Sequence, residues 1–246
     1  MHPTRLATHL RFPTVFFSLL ALGLLAGPAA SQPPAVLKVH MIGHGEYFPE
    51  QSLPELKKYL EERHRVECTL SIKLEKNRLD NLDSLKSADV LIIFARRMSL
   101  APEQMELIRQ HWEQGKPVIG IRTASHAFQK DDNEIFDKKV LGGNYGGSGG
   151  GKAVVPPDAA DHPVLKGVQP FKPSQSPYGQ GKLADDVVVL QVQGSAPQTW
   201  IHTYKGGRTL YTSAGAPDDF KNENFLRLLA NAVFWTTQRD SEKFKK

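Results

Sequence analysis

The sequence has too few cysteines to be stabilised by disulfide bonds. Cys68 is its one cysteine in 246 residues, and a single thiol cannot form a disulfide within the chain, even in an oxidising compartment. It lies in the strand-like run 66–70, where a cysteine is more often a small buried side chain than a nucleophile. We therefore expect the stability of the protein to come from its hydrophobic core.

The sequence also lacks the charge pattern of a nucleic-acid-binding protein and the motif of a zinc protease. Its net charge is only +5, and the basic residues are scattered along the chain. No HExxH motif occurs. A metal site assembled in space from His44, His126 and His202 stays open as an alternative. The sequence therefore predicts no nucleic-acid partner and no metal ligand, and it leaves the cofactor undetermined.

The longest apolar run lies near the start of the chain. Residues 12–26 are preceded by Arg5 and Arg11 and followed by small residues. Such a run is too short for a transmembrane span and is typical of a secretory signal peptide. We therefore predict a signal peptide at 1–31 and a mature chain that begins near Gln32 with a net charge of +3. The mature protein would be secreted, periplasmic and free of the membrane.

The rest of the chain alternates short β-branched runs with amphipathic helical stretches. With 40% hydrophobic and 23% charged residues, the chain has the composition of an ordinary globular protein. Strands that alternate with helices are joined by helical crossovers, which make the strands parallel. Residues 90–94, unbroken by polar residues, are typical of a central strand buried on both faces. The predicted strands are 36–42, 66–70, 88–94, 118–121, 187–192, 198–204 and 208–212, and the predicted helices are 53–64, 102–114 and 222–235.

Three stretches are predicted to lie outside this pattern. Residues 146–152 match G-x-x-x-x-G-K, but Ala153 stands where a phosphate-binding loop needs a magnesium-binding hydroxyl. Seven of the residues 142–151 are glycines. We interpret them as a mobile flap over the site, with a plain flexible loop as the alternative. Residues 152–186, rich in turn-formers, would form an insertion. The lysine-rich end, 238–246, is predicted to be a charged, solvated tail.

Candidate site residues follow the predicted strands. In an open parallel sheet, ligands bind at the carboxyl ends of the strands, where loops and helix N-termini converge. His44 and Glu46 follow the first strand, Arg97 the third, and Arg122 and His126 the fourth. Each histidine is either a functional base or a hydrogen-bonded surface residue. Each arginine either holds a ligand or ties loops together.

Arg122 occupies the nucleophile position of a strand-to-helix elbow. Arginine cannot attack a substrate or lose its proton at neutral pH, so here it would offer a cationic fork to an oxyanion, a carbonyl or sugar hydroxyls. We predict that its guanidinium lies in the pocket mouth, within reach of His44 or Arg97. A catalytic pair of Ser125 and His126 is not favoured, because adjacent side chains on a helix diverge by about 100°.

Six stretches of the chain, taken in order, are similar to one known family. They are GKPVIGIRTASHAF (115–128), LGG (141–143), HPVL (162–165), KGGRTLYTS (205–213), DDF (218–220) and NAVFW (231–235). They resemble the ThuA-like (trehalose-utilisation) family, with matches from about residue 37 to 236. The resemblance implies a ThuA-like domain at 36–237 with the class I glutamine amidotransferase-like fold. That fold is an α/β, flavodoxin-like, three-layer fold with a mostly parallel central sheet.

The chain departs from the amidotransferase pattern where the chemistry would lie. Arg122 stands where those enzymes have the elbow cysteine, and Ala216 opens the stretch where a His-Pro-Glu-like sequence is expected. Many ThuA-like chains have a histidine in place of Ala216, so no role is carried over to it. The resemblance therefore implies a part in disaccharide or keto-sugar metabolism, without glutamine amidotransferase activity.

One hypothesis is an enzyme that acts on a glycoside or its 3-keto derivative. His44 or His126 would be the general base, and Arg122 would polarise a carbonyl or hold hydroxyls. Paired carboxylates for ordinary glycoside hydrolysis are not evident, since Glu46 and Asp218 are the two candidates near the rim. The residues predicted to bind the sugar are Glu46, Arg97, Tyr145 and His202.

The alternative hypothesis is a non-catalytic carbohydrate-binding or accessory module. Sugar sites favour aromatic platforms beside planar polar groups. Tyr47, Tyr145, Tyr178 and Trp200 would supply such platforms, unless Trp200 simply packs in the hairpin. The sequence leaves the choice between the two hypotheses open, and it leaves the oligomeric state open as well.

Overall fold

The structure, a computed structural model, describes residues 35–148 and 152–246. The segment 1–31, predicted to be a signal peptide, lies outside the described residues, and so do residues 149–151 of the glycine-rich stretch. In the part described, no helix is long and apolar enough to span a membrane.

A mostly parallel sheet lies at the centre of the protein. The strands of the described chain are β1 (Leu37–His44), β2 (Val66–Ser71), β3 (Leu74–Glu75), β4 (Arg78–Leu79), β5 (Val90–Ala95), β6 (Val118–Ile121), β7 (Tyr145–Ser148), β8 (Tyr178–Gln180), β9 (Val188–Gln193), β10 (Ala196–Tyr204) and β11 (Gly207–Thr212). Seven of them form one sheet in the order β2-β1-β5-β6-β11-β10-β9. The first five are parallel, and β10 runs antiparallel to both β11 and β9.

Helices cover both faces of this sheet. They are α1 (Pro49–Arg63), α2 (Pro102–Glu113), α3 (Lys130–Glu134) and α4 (Glu223–Thr236). α1 and α4 pack Leu56 and Leu228 into the hydrophobic cluster on one face, and α2 packs Ile108 and Trp112 into the cluster on the other. The parallel strand order β2-β1-β5-β6-β11, with helices on both faces, is the flavodoxin-like arrangement. The predicted three-layer α/β fold is therefore confirmed.

The central strands form where the sequence predicts them. β5 is buried at all six positions and lies between β1 and β6. Its neighbours Ile92 and Ile93 pack in opposite clusters, because successive side chains of a strand point to opposite faces. β6 has the predicted bounds. Cys68 on β2 is buried as predicted, and burial raises the pKa of its thiol to about 12.

The helices differ from the predicted ones in two places. α1 begins at Pro49 rather than at residue 53, because the carbonyl of Phe48 accepts the amide hydrogens of Gln51 and Ser52. Ser52, which with Glu55 forms an S-x-x-E capping signal, is therefore buried inside the helix. The sequence pattern also predicts neither α3 nor the π-helical segment Ile135–Val140 that continues it. Wide π turns place their apolar residues off the 3.6-residue period that the prediction uses.

The lysine-rich segment 238–246 packs on the domain through Phe244, while the lysines predicted to be solvated, Lys243, Lys245 and Lys246, are exposed. Phe244 is 4% exposed, and its ring centroid lies 5.7 Å from that of Phe234 on α4. The carbonyl of Phe244 accepts the amide hydrogen of Arg65, with 2.7 Å between the nitrogen and the oxygen. The buried ring of Phe244 thus holds this lysine-rich segment on the domain.

The glycine-rich stretch forms part of a small ribbon. β7, taken from this stretch, pairs antiparallel with β8 in a two-stranded sheet of its own. The pairing joins the stretch predicted to be a flap to the stretch predicted to be an insertion. It also brings Tyr145 and Tyr178 together, with ring centroids 5.4 Å apart.

Candidate functional site

The candidate site lies at the carboxyl edge of the sheet, where β1, β5 and β6 end. β1 connects to β2 on one side and then, through β3 and β4, to β5 on the other, so the strand order reverses between β1 and β5. Ligands of open α/β sheets bind in the crevice at such a reversal. His44 pairs with Ala95 across it. The residues that follow these two positions form the rim of the crevice.

Four of the ten non-glycine residues with positive φ angles in the described part of the chain lie around this crevice. Tyr47, Phe48, Arg97 and Arg122 have φ angles of 67°, 51°, 47° and 46°. These angles lie in the left-handed region that side chains with a Cβ atom disfavour. Strain of this kind persists where the surrounding structure enforces it, and it clusters at functional sites. Its presence after three neighbouring strands independently marks this edge as the candidate site.

Arg122 opens the 3-10 turn Arg122–His126 directly after β6. Its Nη1 donates to the carbonyl of Ser213 at 2.6 Å and to that of Ser176 at 3.4 Å, and its Nη2 donates to the hydroxyl of Tyr47 at 3.1 Å. Its Cζ atom lies 4.2 Å from the ring centroid of Tyr47 and 4.8 Å from that of Tyr178. Arg122 thus joins three separate segments of the chain.

The predicted position of Arg122 at the strand end is confirmed, but its predicted place in an open pocket mouth is wrong. The residue is only 2% exposed, because the two tyrosine rings enclose the guanidinium. In residues 35–148 and 152–246 no carboxylate forms an ion pair with it, and its buried Nε has no hydrogen-bond partner. A buried charge without a counter-ion is costly. The tyrosine rings offset part of that cost through cation–π attraction.

The buried cation changes the acidity of Tyr47. Burial by itself raises the pKa of this phenol. The hydrogen bond from Arg122, the neighbouring hydroxyl of Tyr178 and the charge of Arg122 together outweigh burial, and they leave the pKa of Tyr47 below its ordinary value. Burial raises the pKa of Tyr178. Tyr47 is therefore the better proton donor of the two phenols.

His126 lies against the two tyrosines of the ribbon. Its ring stacks on that of Tyr145, with centroids 4.3 Å apart and 20° between the planes, and meets the ring of Tyr178 edge-on at 5.2 Å. Burial, followed by the positive charges of Arg96, Arg97 and Arg122, lowers the pKa of His126 to about 4. The imidazole is neutral at neutral pH and is suited to accept a proton or a hydrogen bond.

Ser125 and His126 are hydrogen-bonded to each other, so the prediction that these neighbours cannot face each other is wrong. The Oγ of Ser125 lies 3.1 Å from the Nδ1 of His126, which is reachable because Nδ1 is the ring nitrogen nearest the backbone. Ser125 is nevertheless fully buried. The hydroxyl of Tyr211 lies 3.4 Å from its Oγ. A substrate has no access to this hydroxyl, so a serine nucleophile stays disfavoured.

Glu46 and Arg97 lie on the exposed rim of the crevice. Glu46 forms an ion pair with Arg96 at 2.8 Å. The amide of Arg97 donates to the carbonyl of His126 at 2.8 Å, which fixes the two residues side by side. His44 is half-buried at the end of β1. Burial lowers its pKa, against the opposing charge of Glu50, and no hydrogen bond joins its side chain to another described residue.

Other sequence candidates lie away from this cluster. His202 pairs with Thr209, whose partner on β6 is Val118 at the opposite, amino edge of the sheet. Its Nε2 donates to the carbonyl of Lys139 at 2.8 Å. Trp200 is fully buried and donates its indole hydrogen to Leu141, so it packs in the sheet. Asp218 forms an exposed ion pair with Lys221.

The structure does not assemble the metal site considered as an alternative, because His202 lies at the other edge of the sheet from His126. Among the described residues, no three histidine, cysteine, aspartate or glutamate side chains converge in a way that would hold a metal ion.

The structure gives Tyr47 and Asp137 larger roles at the candidate site than the sequence predicts. Tyr47 is predicted only as a platform, although its position three residues after His44 signals proximity to the site. Asp137, in the π-helical segment, is 4% exposed, and its Oδ2 accepts the amide hydrogen of Tyr145 at 2.8 Å. Burial raises the pKa of Asp137 to about 6. No sequence signal identifies Asp137, because the helix that carries it is not predicted.

Residues 38–236 match the sequence model of one protein family, ThuA, which is described as trehalose utilisation. The chain belongs to the ThuA family. The resemblance predicted from the sequence is thereby confirmed, and membership of the family indicates a carbohydrate-related role. A search of curated proteins gives no match.

Solved structures share the fold of this ThuA-family chain. A ThuA-like protein from Bacteroides uniformis is 21% identical and matches 88% of this chain and 97% of its own, with a TM-score of 0.59. A ThuA-like protein from Parabacteroides merdae is 17% identical over 83% of this chain and 90% of its own, with a TM-score of 0.57. A cytoplasmic protein from Salmonella typhimurium is 15% identical over 85% of this chain and 100% of its own, with a TM-score of 0.53. At these identities the likeness shows the fold alone.

Proposed function

We propose that this ThuA-family protein is a carbohydrate-processing enzyme that acts on a disaccharide or keto-sugar by proton transfer at His126 and Tyr47. One observation carries the proposal. A neutral imidazole, that of His126, and the acidified phenol of Tyr47 belong to one cluster around Tyr178 and Arg122. A proton acceptor and a proton donor held together are what acid–base catalysis needs.

In the proposed reaction, His126 accepts a proton through Nε2, the ring nitrogen that does not face Ser125. The proton comes from the carbon next to the keto group of a keto-sugar, and the electrons of the broken C–H bond form the carbon–carbon double bond of an enol. Tyr47 gives its phenolic proton to the oxygen on which negative charge develops, and Arg122 stabilises the phenolate that remains. His126 then carries the extra proton, and its return to Tyr47 through product or water restores both residues.

We propose that the protein has no glutamine amidotransferase activity. Arg122 occupies the strand-end position of the elbow nucleophile, and a guanidinium can neither attack an amide nor lose its proton at neutral pH. Cys68, the one cysteine of the chain, is buried on β2, and a thiol with a pKa of about 12 is not a nucleophile at neutral pH.

Turnover assays test the proposed enzyme. The purified protein is incubated with trehalose, maltose and their 3-keto forms, and the products are separated by chromatography. We expect turnover that is lost in His126→Ala and Tyr47→Phe. Tyr204→Phe is the matched control, because Tyr204 ends β10 at the opposite edge of the sheet, where it donates to Glu113. No turnover of any of these sugars by the unaltered protein contradicts the proposal.

A non-catalytic sugar-binding module is the second candidate, and one observation favours it. The terminal nitrogens of Arg122 donate to Ser213, Ser176 and Tyr47, so the elbow residue is tied to the protein itself. Calorimetry separates the candidates. Sugar binding that survives in the double variant His44→Ala, His126→Ala, with no turnover by the unaltered protein, favours the module. Loss of turnover with binding retained favours the enzyme.

We also propose that residues 1–31 are cleaved and that the protein acts in the periplasm. The apolar run 12–26, with two arginines before it and small residues after it, supports a signal peptide. N-terminal sequencing of protein expressed from the whole chain tests this proposal. A first residue near Gln32 in a periplasmic fraction is expected, and an intact Met1 in the cytoplasmic fraction contradicts it.

A further inference from the structure

We propose that the sugar bound at this site carries an anionic group, of the kind found in a sugar acid, and that Arg97 binds that group. The inference rests on the proposed carbohydrate function and adds the charge class of the substrate. It makes Arg97 a specificity-determining residue on the rim of the crevice.

The site carries positive charge that the protein does not neutralise. Arg96, Arg97 and Arg122 follow the neighbouring strands β5 and β6. Glu46 neutralises Arg96 through their 2.8 Å ion pair. No carboxylate in residues 35–148 or 152–246 forms an ion pair with Arg97 or Arg122. Two cations beside low-dielectric tyrosine rings create a potential that attracts an anion.

Asp219, a buried acidic residue that follows β11, is committed to other partners. Asp219 is buried after β11, close to Ser213, whose carbonyl Arg122 binds. One carboxylate oxygen of Asp219 accepts the amide hydrogen of Ser174, and the other accepts those of Gly215 and Ala216. Because this carboxylate is committed to backbone amides, the charge of Arg122 is not neutralised. Arg122 is buried and bonded to the protein, so it adds to the positive potential of the crevice and leaves direct contact with a ligand to Arg97.

Arg97 is held in place by its backbone while its side chain stays exposed. Its amide donates to the carbonyl of His126, and its own carbonyl accepts a hydrogen from the side chain of Gln129. These bonds hold its φ angle at 47°, a conformation that costs free energy for arginine. These bonds place the backbone of Arg97 directly beside that of His126, and the charge of Arg97 lowers the pKa of that histidine.

The neighbouring groups favour an anion that belongs to a sugar. The planar fork of a guanidinium matches a carboxylate in a two-point contact. The half-buried rings of Tyr145 and Tyr178, which pack around His126, provide apolar surface for the C–H face of a sugar ring. A free inorganic anion would use the arginine and leave this aromatic surface without a role.

Calorimetry with matched sugar pairs tests the inference. The pairs are glucose with glucuronate, galactose with galacturonate, and mannose with mannuronate, which differ only in the group at C6. At low salt we expect at least one acid to bind about tenfold or more tightly than its neutral partner. The advantage falls as sodium chloride is added, because salt screens the contact.

Two variants assign the effect to Arg97. Arg97→Gln removes the charge and keeps hydrogen-bonding capacity, so we expect the acid and its neutral partner to bind this variant with equal affinity. Arg239→Gln is the control, because Arg239 is an exposed arginine beyond the end of α4. Melting curves of both variants establish that they are folded.

The outcomes distinguish this inference from the function on which it rests. Equal affinity for the two members of every pair, or a preference that survives in Arg97→Gln, overturns the inference and leaves the sugar-binding function standing. Binding of none of the six sugars also overturns the inference, and the turnover assays with trehalose, maltose and their 3-keto forms then decide the proposed function separately. Inorganic phosphate that binds as tightly as the best sugar acid and competes with it overturns the inference in favour of a plain anion site.

Discussion

The imidazole of His126 stacks on the phenol ring of Tyr145, and the amide of Tyr145 is bound by the buried carboxylate of Asp137. The π-helical segment therefore positions a ring over the candidate base, although no residue of that segment lies at a strand end. Asp137 thus holds the backbone of the residue whose ring covers His126. The first two predictions follow from this arrangement.

Tyr145→Ala is expected to raise the pKa of His126. Burial is the largest cause of its low pKa of about 4, and removal of the stacked ring admits water to the imidazole. The pKa is expected to move toward the ordinary 6.5, which an NMR titration of the ring protons measures. In Tyr204→Ala, which alters a ring at the far edge of the sheet, the pKa of His126 should not move. An unchanged pKa in Tyr145→Ala would show that the arginine charges dominate.

Asp137→Asn is expected to stabilise the protein above pH 6 and to have little effect near pH 4. Burial raises the pKa of Asp137 from 3.8 to about 6. Its contribution to stability is therefore fully present below pH 3.8 and is lost as the pH rises through 6. At pH 8 the neutral amide avoids the buried charge, which corresponds to a gain of about 1–3 kcal/mol.

Urea unfolding at pH 4 and pH 8 measures this difference. Asp185→Asn serves as the control, because Asp185 is an exposed aspartate whose replacement changes stability by less than about 0.5 kcal/mol. Destabilisation of Asp137→Asn at pH 8 would mean that the ionised carboxylate binds Tyr145 more strongly than burial disfavours it.

Arg122→Ala is expected to lower the free energy of unfolding by about 2–4 kcal/mol, because it removes charge-assisted hydrogen bonds and leaves a cavity. The sequence alone suggests about 1 kcal/mol or less, as for a residue outside the core. The 2% exposure of Arg122 and its bonds to Ser213 and Tyr47 account for the difference. Chemical denaturation of Arg122→Ala beside Arg63→Ala, an exposed control, decides between the two values.

Gly115→Ala is expected to cost more stability than Gly194→Ala. Both glycines have left-handed φ angles, 68° and 64°, so each substitution incurs the backbone cost of about 1–2 kcal/mol. A Cβ atom on Gly115 would also collide with the carbonyl of Lys205, whereas one on Gly194 would meet nothing. Thermal melting of the two variants compares them, and equal losses would show that the hairpin at Lys205 moves aside.

The sheet is predictable from the sequence because strands that are buried on both faces consist of unbroken runs of apolar residues. β5 and β6 consist of apolar residues bounded by polar ones, and their bounds follow within two residues. The start of α1 is not predictable in this way. Ser52 offers the usual capping signal, but the left-handed conformation of Phe48 begins the helix earlier. The docking of Phe244 on Phe234 likewise depends on contacts that local patterns do not encode.

The candidate site is predictable only as far as strand ends identify it. Arg97, Arg122 and His126 follow their strands directly, so their convergence follows from the parallel sheet. Tyr178 reaches the same cluster from a stretch that has no predicted element, through its pairing with the glycine-rich stretch. His202 lies on a correctly predicted strand, yet at the amino edge. The sequence position of a strand does not show which of its side chains lies at the edge that forms the ligand crevice.

At the rim residues with left-handed φ angles, a substitution that raises heat resistance is expected to weaken ligand binding. Glycine adopts the φ angles of Phe48 and Arg97 without the steric penalty that a Cβ atom brings. Selection for survival at high temperature should therefore enrich glycine at these two exposed positions. Selection for sugar binding should retain arginine at position 97. Libraries screened for stability alone would drift toward well-folded proteins with an inactive crevice.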